Sequence, residues 1–254
     1  MKITVLGSGT SQGIPVIACK CSVCISKNKK DSRLRSSILI DINEKKIVVD
    51  TGPDFRQQML TQKIDQLDAV LFTHEHKDHI AGLDDVRAFN YIQKKAMDVY
   101  CSSRVEKALK REFHYVFSDF KYPGVPNINI HLIENKSFCL FETINILPIE
   151  VLHYKLPVFG YRIEDFTYIT DAKTVSEKEL NKIKGTKTLI INCLRIQEHL
   201  SHFNLDEALD FISKVNPERT YLTHISHLFG CHEEIQTLLP ENVFIAYDGL
   251  EISC

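Results

Sequence analysis

The 254-residue chain has no apolar run near the roughly 18 residues that a membrane-spanning helix requires, so no contact with a membrane is expected. Its opening, MKITVLGSGT, carries one lysine and then a short β-like run. The longer apolar stretch and cleavage site of a secretory signal are missing, which makes the cytoplasm the expected location. Positive charge is not in excess either. The formal net charge is -2, and nucleic acid is therefore not a favoured partner, since attraction to a phosphate backbone usually requires a basic protein. No internal repeat, low-complexity tract or Gly/Ser/Pro-rich linker interrupts the sequence. One α/β domain over residues 1–254 is the expected organisation.

Short runs rich in Val, Ile, Thr, Phe and Tyr alternate with helical patterns. Strands are expected at 3–6, 37–42, 46–50, 69–73, 98–101, 128–133, 143–152, 160–163, 167–170, 188–192, 220–223 and 243–246. The pairs 38–42/46–50 and 160–163/167–170 read as hairpins. Helices are expected at 55–61, 84–94, 104–113, 176–183, 205–215 and 233–238. Ser176 with Glu179 fits a capping box, Asn204 an N-cap, and Pro217 a helix end. The basic stretch Lys27–Arg35 reads as a solvated loop. Gly7, Gly9 and Gly13 lack the spacing of a dinucleotide or phosphate loop, and their small size suits a chain passing close to a site.

The densest chemistry lies in LFTHEHKDHIAGL. A buried strand leads directly into His74, His76, Asp78 and His79, a nitrogen and carboxylate set suited to divalent metals. In an extended loop His74 and His76 point the same way, whereas the adjacent Asp78 and His79 point to different partners. One ion on the first pair and a second ion on the other pair would satisfy both.

This segment matches the HxHxDH signature and resembles the metallo-β-lactamase superfamily. The resemblance implies a four-layer αββα sandwich with two divalent ions at one edge. It also implies three further ligands. His153 lies after a strand in VLHYKLPVFGYRI, Asp171 ends a strand in TYITDA, and His224 ends one in YLTHISH. The implied set is His74, His76 and His153 on one ion and Asp78, His79 and His224 on the other, with Asp171 bridging. Asp50, in VDTGPD, matches an aspartate that supports the centre without ligating.

Eight cysteines are present, and burial or metal binding suits a reducing compartment better than disulfides do. Most of Cys101, Cys139, Cys193, Cys231 and Cys254 read as small core residues. Cys19-x-Cys21-x-x-Cys24 is a compact thiolate set that needs one more ligand to close a structural zinc site, and His227 is a candidate for it. Together with GSGTSQGIP and LTHISH this loop resembles a narrower group, the PhnP-like phosphoribosyl 1,2-cyclic phosphate phosphodiesterases. The PQQ-synthesis protein PqqB shares part of the same pattern.

The implied activity is hydrolysis of a small phosphodiester, with a cyclic ribosyl phosphate as the implied example, by a hydroxide bridging two ions of zinc, manganese or iron. In that group a non-ligand histidine contacts the substrate phosphate and protonates the leaving oxygen. His202 matches it and His199 is the weaker candidate, while His114, His131 and His232 read as structural or surface residues. The analogy also suggests a homodimer. The rival readings are another hydrolase of the same fold (a tRNA 3′-endonuclease, thioesterase or lactonase) and a PqqB-like carrier without hydrolytic activity.

Overall fold

The computed structural model describes every residue except Lys121. In chain order the strands are β1 (Lys2–Gly7), β2 (Ser37–Ile42), β3 (Lys45–Val49), β4 (Ala69–Leu71), β5 (Met97–Cys101) and β6 (Ile128–Leu132). They continue as β7 (Phe138–Leu140), β8 (Ile144–His153), β9 (Leu156–Ile163), β10 (Phe166–Ile169), β11 (Thr188–Asn192), β12 (Arg219–Thr223), β13 (Val243–Ile245) and β14 (Glu251–Ser253). They form two seven-stranded sheets, ordered β14-β1-β2-β3-β4-β5-β6 and β13-β12-β11-β10-β9-β8-β7. Both sheets are mixed. The first runs antiparallel from β14 to β3 and parallel from β3 to β6. The second runs antiparallel from β7 to β10 and parallel from β10 to β13.

Alternation along the strands builds three apolar layers, as the pleat requires. In β4, Ala69 and Leu71 face Tyr161, Tyr168 and Ile190 between the sheets, while Val70 points outward to Phe55, Val86 and Leu109 on helices. In β11, Ile190 faces inward, and Leu189 and Ile191 pack against Ala208, Ile212 and Val215. Three cores separate four layers, so the αββα sandwich is realised. No described helix is long and apolar enough to cross a membrane.

Both expected hairpins form, and most boundaries shift by one or two residues. β7 and β14 were not legible. Each has three residues and is held by pairing with a longer strand, β14 with β1 across 249 positions of sequence (Ile3 with Ile252). The 84–94 helix divides into a 3₁₀ turn, Leu83–Val86, and an α-helix, Arg87–Gln93. Residues Lys77–Ile80, read as loop, form one helical turn that carries Asp78 and His79. Asn204 caps its helix with a complete capping box to Glu207. Ser176 makes only half of one, because the Glu179 carboxylate instead accepts from the Glu150 N–H at 2.9 Å.

Two further readings change. The 27–35 stretch is not a purely solvated loop. Arg33 is 3% exposed, and its guanidinium donates to Ser8 Oγ, the Ala246 carbonyl and His232 Nδ1. Burial lowers its pKa to about 10, against the opposing pull of Asp248 and Asp31. Among the scattered cysteines Cys101 and Cys193 are buried, but Cys139 and Cys254 are exposed.

The HxHxDH segment is fastened to both sheets. The Thr73 carbonyl accepts from the Phe159 N–H at 3.0 Å, and the Phe72 carbonyl accepts from the Tyr161 hydroxyl at 2.5 Å. β4 therefore ends at Leu71, because the next two residues bond across to the opposite sheet. On the other side Gly82 N–H donates to Thr51 O at 2.8 Å. A Cβ at Gly52 would lie 2.1 Å from the Asp78 backbone oxygen, so only glycine allows these two turns to meet. Gly52→Ala should destabilise the protein by about 3 kcal/mol, the upper range of overpacking effects, because the clash is with backbone. Chemical denaturation of the variant checks this, and an unchanged midpoint would show that the contact is dispensable.

Candidate metal centre

The chain ends of parallel strands gather the polar residues. Asp50 follows β3, His74 to His79 follow β4, Asp171 follows β10 and His224 follows β12. His153 closes β8 at the turn into β9. Asp50, Asp171 and His224 have φ of 65°, 57° and 57°. Left-handed backbone is uncommon outside glycine, although Asp and His tolerate it better than most residues. Here it turns each side chain off its strand and into one space, at a local cost that the surrounding sheets must offset.

All seven expected residues meet there. His79 Nε2 lies 3.2 Å from Asp78 Oδ2 and 3.2 Å from Asp171 Oδ2, and His224 Nε2 lies 3.3 Å from Asp171 Oδ1. The two oxygens of Asp171 thus face different histidines. Potential ligand atoms cluster within 4.8 Å as Asp78–His79–His224, as His74–His79–Asp171 and as His153–Asp171–His202. The first is one of the expected ligand sets. His74, His76 and His153 are ring neighbours, with centroids 4.5, 5.2 and 6.0 Å apart, but His76 enters none of the tight groups.

Hydrogen bonds assign the imidazole tautomers. Asp50, fully buried, accepts from Thr73 N–H and Thr73 Oγ1 at 2.8 Å each and from His79 Nδ1 at 2.7 Å. Thr73 has committed its own proton to Asp50, so it can only accept from His74 Nδ1 at 3.0 Å. His153 Nδ1 donates to the Ser201 carbonyl at 2.8 Å. His224 Nδ1 faces Ser36 Oγ at 3.2 Å and Thr170 Oγ1 at 3.4 Å, whose protons already go to Gly9 O and Asp171 Oδ2. In all four rings Nδ1 carries the proton and Nε2 is left with its lone pair.

The Nε2 atoms of His74 and His79 are buried without a hydrogen-bond partner among the described residues. Lone pairs and carboxylates turned toward one another repel unless a cation lies between them. The pKa shifts report the same field. Burial works against a charged His79, but the carboxylates of Asp78, Asp171 and Asp50 outweigh it and hold its pKa well above the ordinary value. Burial also opposes ionisation of Asp171, and the imidazoles of His224 and His79 overcome this and hold its pKa well below the usual range. Nitrogen donors with oxygen donors around a common space fit borderline divalent metals.

His202 is buried beside this group, with Nδ1 3.8 Å from Asp171 Oδ1 and its ring 4.4 Å from that of His153. Burial pushes its pKa down to about 3, so the ring is neutral. His199 lies on its outer side at 5.1 Å and accepts from Ser201 N–H at 3.3 Å. His131 is exposed and bound to Asp98, and His232 is buried against Arg33. Neither reaches the cluster. Ser36, Thr73 and Thr170 went unnoticed in the sequence, although Thr73 and Thr170 stand directly before His74 and Asp171, where a hydroxyl can reach its neighbour.

The second group assembles as expected. Cys19, Cys21 and Cys24 place their sulfurs 3.3, 3.4 and 3.6 Å from His227 Nδ1. A tetrahedral zinc with ordinary Zn–S and Zn–N bonds separates such atoms by about 3.5 Å. Backbone contact at Cys24 and the bond to His227 lower the Cys21 pKa to about 6, whereas desolvation raises that of Cys24 to about 11.

A family model described as "Beta-lactamase superfamily domain" matches residues 45–225. The crystal structure of "a New Diphosphatase from the PhnP Family" is 35% identical and superposes with a TM-score of 0.92, over 99% of this chain and 96% of that one. Zn(2+)-bound PqqB from Methylobacterium extorquens is 18% identical with a TM-score of 0.81 over 100% of both chains, a likeness of fold. An octanoyltransferase of Porphyromonas gingivalis is 38% identical over 253 residues, 99% of this chain. The chain spans about half of that relative, 51% of its length.

Asp50→Asn should weaken metal binding at the buried cluster about 10- to 100-fold, the usual effect of losing a group that orients ligands. Competition with a chelator, read by elemental analysis, measures it. Wild-type affinity in this variant would mean that the tautomer network does not set the ligands.

Proposed function

The chain belongs to the beta-lactamase superfamily and has its metallo-β-lactamase fold, and from that premise we propose that it is a dinuclear metal-dependent hydrolase of small phosphodiesters. The observation that carries the reading is the convergence of four Nε2 lone pairs on Asp78 and Asp171, each fixed by a committed Nδ1–H.

His74, His76 and His153 would hold one divalent ion, Asp78, His79 and His224 the other, and Asp171 would join them. Such ions, when bound, supply a water acidified to near neutrality and positive charge for phosphoryl oxygens. The chain's own groups do the rest. Asp171 presents one oxygen to the His79 side and one to the His224 side, which suits a carboxylate shared between two cations. Asp50 and Thr73 hold His74 and His79 in the ligating tautomer. His202, a neutral ring 4.4 Å from that of His153 and 4.9 Å from that of His224, offers an N–H to a phosphoryl oxygen.

A cavity of about 520 Å³ opens beside His76 and His153, with Tyr154, Leu200, Lys155 and Arg104 in its wall. Its size suits a small substrate, and Lys155 suits an anionic one, Arg104 being paired with Glu75. The PhnP-family diphosphatase at 35% identity supports a phosphoric anhydride as a second substrate class, since attack at phosphorus is common to both. Octanoyl transfer is not carried over, because this chain matches about half of the protein that bears that name. The seven-donor arrangement supports a hydrolase over a carrier. Cys19, Cys21, Cys24 and His227 are proposed to hold a separate structural zinc.

Zinc- or manganese-loaded protein should hydrolyse bis(4-nitrophenyl) phosphate or a ribosyl 1,2-cyclic phosphate in preference to an acyl thioester. Asp78→Ala should lower kcat roughly 10³-fold, the scale of losing one charge-stabilising group, with the circular-dichroism spectrum unchanged. Faster turnover of the thioester, or full activity of the variant after metal removal, would overturn the reading. Cys21→Ser should release one equivalent of zinc per chain in elemental analysis while the remaining metal stays bound. Unchanged zinc content would exclude the thiolate site.

A further inference from the structure

The Gly7–Gly13 loop has so far been a spacer, but it carries one hydroxyl into the cluster. Thr10 is 7% exposed, and its Oγ1 lies 3.1 Å from His224 Nε2. That nitrogen has the lone pair, because the protons of Ser36 and Thr170 are both committed elsewhere and their oxygens must accept from Nδ1. Among the described residues His224 Nε2 is the one partner of the Thr10 hydroxyl, which therefore donates to it.

The loop holds this hydroxyl firmly. Thr10 N–H donates to Ile225 O at 3.0 Å, Ile225 N–H donates to Ser8 O at 3.0 Å, and Gly13 N–H donates back to Thr10 O at 2.8 Å. Ser8 is bound in turn through its N–H and hydroxyl to Asp248 at 2.9 and 2.8 Å. A donor aimed at a ligating nitrogen loses its acceptor once that lone pair binds an ion. Its proton is then free for an oxygen standing next to that ion.

On the functional reading above, we propose that Thr10 is a further catalytic residue, whose hydroxyl donates a hydrogen bond to a phosphoryl oxygen of the substrate. No proton is transferred; the hydroxyl stabilises charge as it grows on that oxygen.

Thr10→Val keeps the shape and removes the donor, and Thr10→Ser restores the donor. On the metal-loaded enzyme, kcat for bis(4-nitrophenyl) phosphate should fall roughly 10²-fold in the valine variant with KM changed little, and serine should recover most of it. Metal content by elemental analysis should equal that of the wild type. Calorimetry with orthophosphate gives a readout apart from turnover, and the valine variant should bind it at least about tenfold more weakly. Loss of a metal equivalent in the valine variant would reduce Thr10 to a residue that positions His224, and an unchanged kcat with unchanged phosphate affinity would also overturn the proposal. A wild-type protein that binds orthophosphate but hydrolyses no phosphorus ester refutes the functional reading, and the phosphate affinity of the variant still decides the role of Thr10.

Discussion

The buried carboxylate of Asp50 is the constraint on which the site depends. It sits in left-handed backbone after β3, has no exposure, and receives two hydrogen bonds from Thr73 and one from His79. Burial raises its pKa, and these donors and the nearby imidazole offset the rise only in part. A carboxylate without such partners would be expensive to bury. The donors it needs are the same groups that aim His74 and His79. The interaction that stabilises the carboxylate therefore also orients two imidazoles of the cluster, and neither can be altered alone.

The same economy recurs at His224. Ser36 and Thr170 act as acceptors only because Gly9 O and Asp171 take their protons. The geometry of the sheets makes this feasible. Parallel strands of both sheets end at one edge, a place where open α/β sheets commonly bind ligands. At Asp171 and His224 a left-handed residue after the strand turns the side chain inward. The strain is local, and rigid strands on either side of each turn determine its direction.

How much of this was legible follows from what the signals depend on. The ligand motif, the thiolate loop and the hairpins are local in sequence, and each declares itself by spacing. The α/β class followed from the alternation of strands and helices, and the sandwich from the resemblance. What stayed hidden depends on partners distant in the chain. Arg33 looked solvated because lysines surround it, and only the fold brings Ser8, Ala246 and His232 to it. β14 contains a single buried apolar residue, Ile252, and exists because β1 offers an open edge. The helical turn at Lys77–Ile80 has metal-ligand residues where a helix pattern would have apolar ones, so its periodicity was masked by its chemistry.

The arrangement couples stability to metal. Without cations, the cluster sets the His224 lone pair against Asp171 across 3.3 Å, and neither member can retreat, while His79, held well above its ordinary pKa, turns a proton toward Asp78 and Asp171 at 3.2 Å. Asp171 is tied to Thr170, His79 to Asp50, and His224 to Ser36. Repulsion that cannot relax locally is carried by the strand ends that impose it. A cation shared among these donors removes the repulsion and makes the same rigidity useful, because ligands that are already oriented need little reorganisation to bind. The free energy of metal binding then adds to the stability of the folded chain. The segment His224–His227 extends this coupling, since it places one cluster histidine and the nitrogen facing the three thiolates only three residues apart, on backbone bonded to the Thr10 loop.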